Sequence, residues 1–199
     1  MIDITEIAGF FNLFTFKLAV VLDVFSRMPL AAQFFTKEPT AEQMAGLVLH
    51  AASKHTPPRH FVSDQGSQFT SQFFRNTLTS LGIRHRFGAI GQTGSCAIIE
   101  RFWRTLKEMC LLKVRPPLAP DDLYARLHAG LFYYSYHKPH QGIKAATPAE
   151  LYYGKTPACA SAVRPSRAYE NKSDDKMFEI AYLDPDHLLP VLMQNSIAA

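Results

Sequence analysis

Apolar and polar positions alternate from the first residues of the chain: IDITEI, residues 2–7, has the period of two that a half-buried strand requires. TFKLAVVLDVFSR, residues 15–27, is denser in β-branched and aromatic side chains, and MPLAAQFF follows it across a turn at Ser26–Pro29. Together these segments predict an antiparallel meander. At TAEQMAGLVLHAASKH the period changes to that of a helix, with Thr40 as N-cap and Met44, Leu47 and Val48 on one face; Pro57 and Pro58 stop it. HFVSD then reads as a fourth strand, parallel to the first, residues 67–81 as the helix after it, and IRHRFGAI as a fifth strand. The predicted order is βββαβαβ.

Beyond the fifth strand, GAIGQTGS carries Gly88, Gly91 and Gly94 and reads as a mobile loop. A helix follows from Ser95 to about Leu112, on which Ile98, Ile99, Phe102, Trp103, Leu106, Met109 and Cys110 share the face that would pack on the sheet. Another helix spans roughly Pro120 to Tyr136, with Asp121 and Asp122 in its first turn and Pro139 just past its end. From about Lys155 the periodicity is lost. The chain therefore divides into a core, residues 1–154, and an extension, residues 155–199, read as a linker with a short docking segment.

Length and composition narrow the class. With 199 residues, 47% of them apolar, the chain can bury one ample core. A formal net charge of +4 and a pI near 9.0 suit a polyanionic partner without requiring one. Cys96, Cys110 and Cys159 show neither paired spacing nor a zinc pattern with the histidines. The apolar run IAGFFNLFTF ends at Lys17, short of the roughly 20 residues of a membrane helix, and lacks signal-peptide flanks. The expectation is a soluble intracellular protein.

Chemistry concentrates on three carboxylates. Asp64 ends the predicted fourth strand, where open α/β sheets place a ligand crevice, although Asp is equally at home as a turn residue or helix cap. Asp3 lies on the first strand. Glu100, Arg104 and Lys107 share one helical face, which on its own also reads as a solvated side with a Glu-to-Arg pair. If that helix crosses the sheet, Asp3, Asp64 and Glu100 can converge at one end. Carboxylates brought together repel unless cations neutralise them. Magnesium suits such oxygen ligands, and two ions about 3.5–4 Å apart can serve an in-line displacement at phosphorus.

In chain order, IDITEI, LDVFSR, FVSDQGSQFTSQFF, IIERFWRTLK and YHKPHQGIKAATPAELYYG resemble the integrase catalytic core shared by retroviral integrases and bacterial insertion-sequence transposases. Thirty-five residues separate Asp64 from Glu100, the spacing of that group's acidic triad, and the resemblance spans about residues 2–154. It implies a ribonuclease-H-like α/β fold with a five-stranded mixed sheet flanked by helices. It also implies DNA cleavage and strand transfer with two Mg²⁺ or Mn²⁺ ions and no covalent protein–DNA intermediate.

Carried over by position, the resemblance makes Asp3, Asp64 and Glu100 the catalytic, metal-holding acids. It sets Lys107 near a DNA phosphate, with a solvated lysine as the alternative, and extends the same reading to Arg104 and Arg101. Gln68 and Ser67 could touch DNA ends, and helix capping explains Ser67 equally well. Asp23 reads as structural, bonding the turn through Ser26 or pairing with Arg27. Two departures stand out: Lys138 replaces an expected Arg, and Ser135 an expected Asn; the segment His137–His140 reads as a folded corner. Implied partners are transposon-end and target DNA and further copies of the chain, as a dimer or higher oligomer, in the bacterial cytoplasm and away from membranes. A DNA-recognition region is expected upstream of such a core, as a preceding domain or a separate subunit. The alternative function is a catalytically silent core that binds DNA or oligomerises.

Overall fold

The computed structural model describes residues 1–9, 15–88, 93–112 and 114–154. The glycine loop expected before the Glu100 helix falls largely outside them, and the extension 155–199 wholly so. Strands β1 (Ile2–Ala8), β2 (Thr15–Leu22) and β3 (Pro29–Phe35) form the antiparallel meander, in the order β1-β2-β3. Helix α1 (Ala41–Lys54) follows, then β4 (His60–Ser63), α2 (Ser67–Thr70), α3 (Gln72–Ser80) and β5 (Arg84–Phe87). Helices α4 (Thr93–Met109), α5 (Pro120–Tyr136) and α6 (Pro148–Tyr152) complete the described chain, with a 3-10 turn at Gln141–Ile143. The predicted βββαβαβ order holds.

Alternation along β2 explains the layering. Leu18, Val20 and Leu22 point into one cluster, with Phe102, Trp103 and Leu106 of α4 and Leu127 and Leu131 of α5. Ala19 and Val21 point into the other, with Met44, Leu47 and Val48 of α1 and Phe74 and Leu78 of α3. A strand covered on both faces needs apolar residues at consecutive positions, which is why TFKLAVVL loses its polar phase. On β1 the same alternation sends Ile2 to the α1–α3 side and Ile7 to the α4–α5 side. Asp3 and Thr5 therefore share the face that α4 covers.

The single five-stranded mixed sheet is not what the described residues show. They form two ladders: the three-stranded meander and a parallel pair, β4-β5, in the register Phe61↔His85. β1 and β4 lie against each other without a bridged pair. β4 contributes four residues, and parallel pairing is weaker per residue than antiparallel, so this junction is the least secured in the sheet layer.

Two helix boundaries also differ from expectation. The helix predicted over residues 67–81 is broken at Ser71, whose extended backbone (φ −62°, ψ 148°) lets its hydroxyl cap Phe74 N. In an unbroken helix, residues five apart would diverge by about 140°. The break lets Phe69 and Phe74 both bury completely, with ring centroids 5.3 Å apart. α4 stops at Met109 rather than Leu112, because Leu111 adopts φ 53°. Thr40 caps α1 as predicted, in a reciprocal box with Gln43.

Candidate active site

Trp103 and Lys107 stand four residues apart on α4, about 6 Å along the axis, which nearly matches the about 6.7 Å between alternate residues on a strand. The two elements consequently meet in step. Trp103 Nε1 donates to Asp3 Oδ2 at 2.7 Å, and Lys107 Nζ donates to Thr5 Oγ1 at 2.7 Å. This double clasp places α4 along β1 and sets the half-buried Asp3 beneath it.

Burial holds the Asp3 carboxyl above the ordinary carboxylate range. The Trp103 indole and the Ile4 amide pull it down, and the negative charges of Asp64 and Glu100 push it up again. Asp3 thus feels the charges of the other two predicted acids, as a smaller effect than its burial. Asp64 follows β4 directly, exposed, with Oδ1 accepting from Gly66 N at 3.0 Å. Glu100 is exposed on α4, and no ion pair joins it to Arg104 among the described residues.

The peptide that carries Asp64 is braced from the neighbouring strand. Ser63 Oγ donates to the Asp64 carbonyl at 2.8 Å and lies 2.8 Å from His85 Nε2. With its one proton spent, the Ser63 hydroxyl accepts from His85, which puts the imidazole proton on Nε2. Nδ1 is then the bare nitrogen, buried without a partner. Burial, with the Arg75 charge adding to it, lowers the His85 pKa and keeps the ring neutral.

Among the described residues, no three His, Cys, Asp or Glu side chains converge tightly enough to hold one metal ion. Asp3 accepts from Trp103 and Asp64 from Gly66. The donor chemistry nevertheless fits a hard divalent cation, which prefers carboxylate oxygens. Positive charge at this point would also relieve the carboxylate repulsion that adds to the effect of burial on Asp3.

The predicted DNA-contacting residues divide into groups. Arg101 and Arg104 are exposed on α4, while Lys107 is half-buried on Thr5. Ser67 is exposed and Gln68 half-buried. Ser67 does not cap its helix: Gly66 holds the N-cap position, with no side-chain bond there. Asp23 makes the turn contact expected of it, accepting from Ser26 N at 2.8 Å and Ser26 Oγ at 2.5 Å, whereas Arg27 donates to the Val24 carbonyl. The corner at 137–140 folds onto the core, with His140 and Tyr134 rings 4.5 Å apart. Trp103, Thr5, Ser63 and His85 were not identified as site residues from sequence. For Thr5 a signal existed, in the alternation it shares with Asp3.

Two family models, each described as integrase core domain, match residues 1–93 and 81–148. An uncharacterised Caenorhabditis elegans protein is 30% identical over 139 residues, 69% of this chain and 10% of that protein. The transposase for insertion sequence element IS904 of Lactococcus lactis subsp. lactis is 26% identical over 143 residues, 69% of this chain and 54% of the transposase. A chain in the simian T-cell lymphotropic virus intasome in complex with PP2A regulatory subunit B56 gamma superposes with a TM-score of 0.64 at 26% identity. That match covers 82% of this chain and 54% of the other. The HTLV-2 integrase catalytic core domain in complex with magnesium, in its trimeric form, gives a TM-score of 0.59 at 22% identity, over 75% of this chain and 91% of that one. The fold is that of the integrase cores, ribonuclease-H-like. The chain belongs to the integrase catalytic-core family, as an integrase or transposase core domain. It spans about half the length of the transposase and a tenth of the nematode protein.

Proposed function

We propose that residues 1–154 are a DNA recombination core that cleaves a phosphodiester bond at a mobile-element end and joins the freed end to target DNA. The supporting observation is that the charges of Asp64 and Glu100 register on the half-buried carboxyl of Asp3. Asp3, Asp64 and Glu100 would hold Mg²⁺ or Mn²⁺, as a pair of ions. Bound there, the metal supplies charge neutralisation at the scissile phosphate and a nucleophile at neutral pH.

The chain's own groups do the rest. Trp103 fixes the Asp3 carboxylate, and the Ser63–His85 pair fixes the Asp64 peptide. Arg101, Arg104 and Lys107 offer positive charge along α4 to the DNA backbone, and Ser67 and Gln68 flank Asp64 as contacts for DNA ends. In cleavage, water attacks phosphorus and the 3′ oxygen leaves, taking a proton. In joining, that 3′ hydroxyl attacks a target phosphate and a target 3′ oxygen leaves. Two DNA ends need two cores, so a dimer or larger assembly on DNA is the working form, with residues 155–199 as a docking extension. A recognition module would choose the ends.

The full chain is to be assayed for nicking of duplex DNA with and without Mg²⁺ or Mn²⁺, beside Asp64→Ala. Metal-dependent nicking that falls roughly a thousandfold in the variant, about 4 kcal/mol of transition-state stabilisation, is expected. Equal traces from both proteins would leave a silent DNA-binding or oligomerising fragment.

A further inference from the structure

α4 has a second polar flank. Arg101 and Thr105, four residues apart, line a cavity of about 490 Å³ whose other walls are the β2–β3 turn and the segment between α5 and α6. Those walls bring in Arg27, Lys138 and His140, and α5 adds Tyr134. Among the described residues, no acidic side chain lines the cavity. Arg101 and Lys138 have no carboxylate partner among the described residues, and Arg27 is bonded to a carbonyl rather than an acid. Asp23, the carboxylate of the same turn, is committed to Ser26. Burial, with the Lys138 and Arg27 charges adding to it, lowers the His140 pKa to about 4, so that ring is neutral near pH 7.

Three cations around one polar recess repel one another, and an entering anion removes that repulsion. Guanidinium forks match phosphate oxygens, and an ammonium adds a point charge. Arg101 follows Glu100 directly in α4 and so points about 100° away from it, which puts the recess on a separate flank of the helix from Glu100, Trp103 and Lys107. We propose that the recess formed by Arg27, Arg101 and Lys138 seats a backbone phosphate of the DNA that the acids process, on a separate flank of α4. The inference rests on the DNA-processing reading of that site and extends its footprint to residues outside the acidic motif.

Binding of the full chain to a fluorescent duplex oligonucleotide, without metal, is to be followed over a range of salt. Each phosphate neutralised contributes about 0.9 to the slope of log K against log salt. Lys138→Gln is expected to lower the slope by up to about 0.9, Arg101→Gln/Lys138→Gln to complete that loss of about 0.9, and Lys138→Arg to preserve it. Unchanged slopes in variants with wild-type melting temperatures would overturn the proposal. So would a melting increase with inorganic phosphate that the Gln variants lose while their DNA slopes stay intact, which would make this a small-anion site. Displacement of an acidic peptide with intact DNA slopes would overturn it equally, in favour of protein docking. Should Lys138→Gln unfold, Arg101→Gln alone reads the same slope. Metal-dependent nicking with unchanged slopes would sink this inference alone, whereas lowered slopes without nicking would sink the enzymatic reading and keep the phosphate seat.

Discussion

At Asp3 a half-buried carboxylate lies within the fields of two others, and one indole is its side-chain hydrogen-bond donor. Its pKa is raised, so between the ordinary value of 3.8 and the folded value the native state binds more protons than the unfolded chain. Stability therefore falls as pH rises through that window, the reverse of a salt-bridged aspartate. Asp3→Asn keeps an acceptor for Trp103 and removes the charge. It should stabilise the metal-free protein by about 0.5–2 kcal/mol at pH 7 and by little near pH 3. Thermal melts at both pH values check this. Mg²⁺ should raise the melting temperature of the wild type and leave that of the variant unchanged; a variant less stable than wild type at pH 7 would count against a strained acid.

Between residues and the whole, the elements carry their own strain. α4 ends in a left-handed turn in which Leu112 N reaches the Lys107 carbonyl and Leu111 N the Glu108 carbonyl, at 3.0 Å each. That pattern favours glycine at position 111, where this chain has a leucine at φ 53° and 56% exposed. Leu111→Gly relieves about 1–2 kcal/mol of backbone strain against an entropy cost of about 0.5–1 kcal/mol. A net gain of about 0.5–1 kcal/mol should appear as a higher urea midpoint at constant slope. The break at Ser71 has the opposite character, a local cap that serves tertiary burial of Phe69 and Phe74.

Across the molecule, two helical layers close on β2, and the α4–α5 layer depends on a close approach. A methyl group on Gly130 of α5 would collide with the Cys110 sulfur just past α4. Cys110 is buried, its thiol donates to the Arg126 carbonyl at 3.2 Å, and burial pushes its pKa up to about 12, which keeps the thiol protonated near pH 7. Gly130→Ala should destabilise by about 1–3 kcal/mol despite the better helix propensity of Ala. Adding Cys110→Ala should recover part of that loss, because the colliding atom is gone. A double-mutant cycle measures the coupling, and strictly additive effects would refute the contact.

What the amino-acid order determined here was local: the period-two strands, the Thr40 cap, the α1 and α5 spans and the three acids at their chain positions. These follow from interactions within a few residues, where periodicity and turn chemistry act. Tertiary structure decided the pairings between distant segments. Trp103 to Asp3 and Lys107 to Thr5 join positions about a hundred apart, His85 reaches Ser63 from the neighbouring strand, and Arg27, Arg101 and Lys138 meet around one recess. The same holds for the break at Ser71, where burying two phenylalanines outweighs continuing a helix. A local pattern says which face of an element is apolar. Which residue stands opposite is settled only when the layers close and each buried polar group must find its partner.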